Sequence, residues 1–184
     1  VEALAYLYDK CQGCRHPNPV VYDELLAEPQ PVRTPAADRF AQVAELEALS
    51  AEEKFLFWQA QFDKCIRCNA CRNICPACSC EKCIFDNGDS GVAAKANADA
   101  CEEQFFHLIR AYHVAGRCVD CGECSRVCPA GIPLHLLNRK IIKDIQETYG
   151  DYEAGLDPNA PAPLVTYRLD DADPFDGHQK GGKA

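Results

Sequence analysis

Apolar residues along this chain recur at helical spacing far more often than they alternate. Ser50 and Glu53 form a capping-box pattern, and Phe55, Trp58 and Phe62 then fall on one face. Asp99 with Glu102 repeats the pattern ahead of Phe105, Leu108, Ile109 and Tyr112, with Gly116 as the stop. Leu134, Leu137, Ile141 and Ile145 follow Pro133, and Gly150 closes that run. A weaker helix is predicted over residues 37–49. These stripes read as core packing, and the fold class they predict is mainly α. Pro17 to Pro35 holds five prolines and reads as an extended wrap or linker. From Asp151 onward there are seven acids, three bases and four prolines, too few large apolar residues for a core of its own. The expected organisation is an N-terminal arm over 1–50, a helical domain over 51–150 and an extended acidic tail over 151–184.

Composition changes this picture through one residue type. Fourteen of the 184 residues are cysteine, a density that signals disulfides or metals. The cysteines bunch into tight CxxC units, and thiols so close in a turn rarely staple a fold. Neither a signal-peptide core nor a long apolar run is visible, so a reducing, cytoplasmic compartment without a membrane span is expected. A net charge of −9 argues against nucleic acid, which requires clustered Lys and Arg. The chain has no methionine, even at position 1. Val1 is therefore not expected to be the natural start, and an upstream portion is expected.

One internal repeat carries the chemistry. Cys65-x2-Cys68-x2-Cys71-x3-Cys75-Pro76 recurs as Cys118-x2-Cys121-x2-Cys124-x3-Cys128-Pro129. A 4Fe–4S cube needs a soft thiolate at each iron. The first three cysteines of such a run wrap one cube, and the fourth, before proline, reaches the other. This assigns Cys65, Cys68, Cys71 and Cys128 to cluster one, and Cys118, Cys121, Cys124 and Cys75 to cluster two. Crossed ligation would couple cluster binding to folding.

The two runs resemble the dicluster ferredoxin domain. The helical insert and the stretch RCVDCGECSRVCPAGIPL look like its α-helical form, found in iron–sulfur subunits of fumarate reductase and heterodisulfide reductase. The stretch KCIRCNACRNICPACSCEKCIFD is similar to iron–sulfur subunits of deazaflavin-reducing hydrogenase and of the formate dehydrogenase beta type. The resemblance covers roughly residues 62–150 and implies electron relay in complexes with flavin-bearing or heterodisulfide-reductase-like partners, as in anaerobic metabolism. Cys71-x3-Cys75-x2-Cys78 also matches the run of radical S-adenosylmethionine enzymes. Two of those cysteines already belong to the ferredoxin runs, and no strand–helix barrel pattern accompanies them.

Six cysteines remain: Cys11, Cys14, Cys78, Cys80, Cys83 and Cys101. Cys11-x2-Cys14 and Cys80-x2-Cys83 are half-sites that together complete a third centre, a 4Fe–4S cluster or a zinc ion, with Cys78 as a substitute ligand. Cys101 stands alone on a predicted helix and is expected in the core. His16, His107, His113, His135 and His178 show no paired ligand spacing. Arg67, Arg72 and Arg126 lie in the cluster loops and would raise cluster potentials if they were held close, a solvated charge being their default state.

The sequence thus points to an iron–sulfur electron-transfer subunit with no catalytic residues and no activity alone, in a hetero-oligomer with flavin- or metal-containing oxidoreductase subunits. The alternatives are a free ferredoxin shuttle and a catalytic subunit using the extra cysteines. Wrapping arms on both flanks favour the docked subunit over the shuttle.

Overall fold

The computed structural model describes residues 6–8, 14–31, 38–87, 100–165 and 169–170. Six α-helices are present among them, and no strand: α1 Ala41–Glu47, α2 Ala51–Phe62, α3 Ala70–Asn73, α4 Ala100–His113, α5 Glu123–Arg126 and α6 Leu134–Tyr149. Single 3-10 turns occupy Ile84–Asp86 and Pro163–Val165. The mainly α class expected from the periodicity is the one observed.

Local signals explain the helix ends. The Ser50 hydroxyl accepts from the Glu53 amide while Glu53 accepts from the Ser50 amide, so the capping box starts α2 as expected. Gly150, with a φ of +89°, ends α6 in a conformation that costs a side-chain-bearing residue strain. Asp99 lies outside the described residues. Residues 17–31 contain no helix, in keeping with their prolines.

Helix α4 packs against both α2 and α6, and α1 packs on α6. The centre holds Phe62, Phe85, Phe106, Ile132 and Leu134 together with Cys71 and Cys124. Trp58 stacks on Phe62 at 5.3 Å and Phe62 on His107 at 4.8 Å, while Phe106 meets Phe85 edge-on at 4.9 Å.

The buried face of α4 differs from the one its apolar stripe suggests. Phe105, Leu108 and Tyr112 are 61%, 43% and 68% exposed, whereas Glu103, Phe106, His107, Arg110 and Ala111 point inward. The helix is rotated because its polar residues have charges and thiols to meet inside. Phe55 on α2 is also exposed, as is Cys101, which was expected in the core. On α6, Leu136 and Ile142 are buried more deeply than Leu137 and Ile141.

The two cysteine runs fold alike. Each places a side-chain-bearing residue at positive φ between its first two cysteines, Arg67 at 49° and Asp120 at 53°. Each then starts a one-turn helix, α3 or α5, from a left-handed cap, Asn69 at 61° and Gly122 at 70°. Helices α3 and α5 pack on one another. Each strained residue is held by an ion pair to a long helix. Arg67 Nε donates to both Glu103 oxygens of α4 at 2.9 and 2.8 Å, and Arg139 Nε of α6 donates to both Asp120 oxygens at 2.7 and 3.0 Å. Backbone strain of this kind persists only where its surroundings hold it.

The flanks lean on this domain. Arg15, His16 and Arg39 converge on Glu153, at 2.8, 2.7 and 2.8 Å. Burial works against the charge of Glu153, but the His16 hydrogen bond and the two guanidinium groups outweigh it and lower its pKa. Tyr152 donates its hydroxyl to the Gly116 carbonyl at 3.0 Å, and Gly116 lies beside Ala162 and Pro163. The first part of the acidic tail therefore has no core of its own but rests on the helical domain.

The two loop clamps differ in burial, 7% and 3% for Arg67 and Glu103 against 22% and 13% for Arg139 and Asp120. Glu103→Gln should therefore destabilise the protein by about 3–5 kcal/mol, because it strands a buried guanidinium. Asp120→Asn should cost less. Denaturant unfolding of both variants checks the order, and equal costs would contradict it.

Candidate metal centre

Cys65, Cys68, Cys71 and Cys128 line a single cavity, together with Phe106, His107 and Ile132. Three of them come from the first run and one from the second, the set expected for cluster one. The charges of Cys68 and Cys128 both bear on Cys71. In the second run the charges of Cys121 and Cys124 bear on Cys118. Arg110 acts on Cys75 as it does on Cys71 and Cys124, one from each run. Cys71 and Cys124, the third cysteine of each run, are buried and act on one another, so the halves meet there.

Matching amides serve the sulfurs. The Arg67 amide donates to Cys65 Sγ at 3.4 Å, and the Asp120 amide occupies the same role at Cys118. Amides of Arg72 and Ser125 do so at Cys71 and Cys124. The left-handed residues turn these N–H groups inward. In addition, Asn138 Nδ2 approaches Cys124 Sγ at 3.6 Å.

Burial pushes the Cys65 and Cys118 thiols up to about 12 and that of Cys124 to about 11. Cys71 is raised for the same reason. Such thiols are protonated at neutral pH until a metal takes the proton's place. Cys75 moves the other way, to about 6, because the Cys78 thiol donates to it. These residues fit a thiolate-bound cluster in three respects: a soft sulfur donor set, inward amides, and a buried cation lacking a partner.

That cation is Arg110. It is 2% exposed, and none of its three guanidinium nitrogens has a hydrogen-bond partner among the described residues. Its charge acts on Cys71, Cys75, Cys78 and Cys124. The three arginines singled out from the cluster loops are each matched with an acid instead: Arg67 with Glu103, Arg72 with Asp86 and Arg126 with Glu123. Arg67 is buried rather than solvated, its guanidinium 4.5 Å above the Phe106 ring.

His107 is buried between Phe62 and Phe106, and its ligand nitrogen lies within 4.8 Å of Cys65 Sγ and a Glu103 oxygen. Burial, then the charges of Arg110 and Arg67, lower its pKa to about 3, so the ring is neutral. Both carboxylate oxygens of Glu103 are engaged by Arg67, which makes this trio an outer layer around Cys65 rather than a separate metal site. Glu103, His107 and Arg110 form a polar stripe on α4, of which sequence reasoning named only His107 and missed the other two. Their i, i+4, i+7 spacing was the available signal.

The remaining sequence candidates divide. Cys78, Cys80 and Cys83 line a second cavity of about 470 Å3. Cys14 is exposed, its thiol donating to the His16 carbonyl at 3.5 Å, and is not on that wall. Cys11 lies outside the described residues.

Residues 61–132 match the family described as the 4Fe-4S dicluster domain. This segment is similar to that domain. Two curated relatives are similar over a wider span. One is the F420-dependent formate dehydrogenase subunit beta of Methanocaldococcus jannaschii, 31% identical over 104 residues, 56% of this chain and 26% of the relative. The other is the F420-dependent formate dehydrogenase 1 subunit beta of Methanococcus maripaludis, 36% identical over 109 residues, 58% of this chain and 26% of the relative. The chain thus spans about a quarter of the length of these relatives. No described helix is long and apolar enough to cross a membrane.

Arg110 is a buried cation with no hydrogen-bond partner among the described residues, and such a charge would favour the more negative, reduced state of a nearby cluster. Arg110→Gln should lower the reduction potential of a cluster held by these thiols, a tenfold loss in electron affinity reading as ~59 mV. Arg110→Lys should restore part of the shift. A potentiometric titration followed by electron paramagnetic resonance reads both, and unchanged potentials in an iron-replete Gln variant would contradict the assignment.

Proposed function

We propose that this chain holds two 4Fe–4S clusters by crossed ligation and relays single electrons between subunits of a larger oxidoreductase. Cluster one takes Cys65, Cys68, Cys71 and Cys128, and cluster two takes Cys118, Cys121, Cys124 and Cys75. The observation that carries the reading is the cavity in which Cys128 of the second run joins the three leading cysteines of the first. Such clusters accept and release one electron at a time, and the protein supplies position, insulation and charge around them.

The clustered thiols, the inward amides and Arg110 support electron storage. Turnover is assigned to a flavin- or metal-bearing partner. The outer face of α4 supports docking, since Phe105, Leu108 and Tyr112 lie along one side of it and are exposed. Exposed apolar area of this kind marks interaction surfaces. The N-terminal arm over 1–50 and the tail over 151–184 flank the 51–150 domain and would extend that surface.

Iron analysis of anaerobically prepared protein tests the cofactor, with no fewer than about eight irons per chain expected from two four-iron cubes. Stoichiometric zinc with little iron would refute it. Cys75→Ala should damage the cluster held by Cys118, Cys121 and Cys124 while its sequence neighbours keep theirs. Loss of only the Cys65–Cys71 cluster would refute crossed ligation.

The relay itself is tested by mixing. The isolated chain should take electrons from a strong reductant and convert no small-molecule substrate until a partner is added. A charge placed at Leu108 (Leu108→Glu) should weaken assembly with that partner and leave the iron content near normal. Turnover by the chain alone would overturn the reading.

A further inference from the structure

We propose that the cavity beside α3 is a third iron–sulfur centre, with Cys78, Cys80 and Cys83 as its thiolate ligands. These three cysteines lie within six residues and belong to neither repeated run. Their segment is pinned at both ends. The Cys78 amide donates to the Cys75 carbonyl at 3.1 Å at one end. At the other, the 3-10 turn Ile84–Asp86 drives Phe85 into the core against Phe106. Pinning at both ends presents the three thiols to one space of about 470 Å3, within the ~300–1,000 Å3 of cofactor sites.

The wall has the charge such a centre requires. Arg72, Lys82, Arg110 and Arg117 line it against two acids, Glu81 and Asp86. Arg72 bonds both Asp86 and Cys83, and Arg110 brings the guanidinium that has no protein partner. Excess positive charge around three thiols suits a cluster made anionic by its thiolates. His113 stands on the same wall as a fourth donor.

Spacing favours a cluster over zinc. Tetrahedral zinc at about 2.3 Å from each sulfur draws thiolates to roughly 3.8 Å of one another. Among the described residues, no three cysteine sulfurs lie within 4.8 Å of one another. A cube spreads its ligands more widely and suits the larger space. The ligand set also differs from pairing Cys80 and Cys83 with Cys11 and Cys14, because Cys78 shares the cavity and Cys14 does not.

The location gives the centre a place in the relay, a role that rests on the two-cluster reading above. The Cys78 amide donates to the carbonyl of Cys75, which is assigned to cluster two, so the third centre would adjoin that cluster. Electrons would then cross the domain through three centres.

Iron, sulfide and zinc are to be counted in the full chain, prepared without oxygen, and in Cys80→Ser/Cys83→Ser, Cys78→Ser and Cys14→Ser variants. About twelve irons are expected in the unaltered chain, falling to about eight in the double variant, with the two-cluster resonance signals retained. Cys78→Ser should lose iron in the same way, and Cys14→Ser should not. About eight irons in the unaltered chain would overturn the proposal whether or not any variant folds. One zinc in place of the extra iron, or iron loss in Cys14→Ser, would overturn it as well. Only about four irons would instead refute the two-cluster reading, which keeps the two failures distinct.

Discussion

The contact on which the rest of this fold depends is the buried pair of Arg67 and Glu103. A guanidinium and a carboxylate removed from water cost several kcal/mol each, and only close, two-oxygen geometry offsets that. Here the geometry is present, and the pair secures a residue at positive φ inside a cysteine loop. Once Arg67 is held, the loop's amides face its sulfurs and α4 is locked in rotation. That rotation is why His107 and Arg110 face inward and why Phe105 and Tyr112 do not. Asp120 and Arg139 repeat the arrangement with the charges exchanged, so loop and helix carry opposite signs in the two halves.

The repeated runs were legible because ligand spacing is local. Wrapping three thiols around one centre requires fixed short intervals, and both runs show them with the same prolines. The ends of α2 and α6 were legible for a similar reason, since a capping box and a terminal glycine act within one turn. The inner face of α4 was not. Hydrophobic periodicity assumes an apolar core, and this core includes thiols, an imidazole and a lone guanidinium. Phe105, Leu108 and Tyr112 mimicked a buried stripe for that reason. Cys101 was misjudged by the same assumption.

The loop arginines teach a related lesson. Sequence placed Arg67, Arg72 and Arg126 beside the cysteines, yet each is neutralised by an acid. Arg126 meets Glu123 three residues away, a pairing that sequence could have shown, whereas Glu103 comes from 36 residues beyond Arg67. The unpaired charge belongs to Arg110, which lies outside both cysteine runs, on α4. Local charge counting therefore mistakes which cation sets the field around the sulfurs.

Glu153 bears on how the chain is made. It gathers Arg15, His16 and Arg39, and its partner His16 lies 137 residues upstream. A ribosome releases those three basic residues long before the carboxylate exists, and closing so long a loop carries an entropic cost that grows with its length. The clasp is thus among the last contacts available during synthesis. Both cysteine runs have therefore emerged before the clasp can tie the two ends of the described fold together.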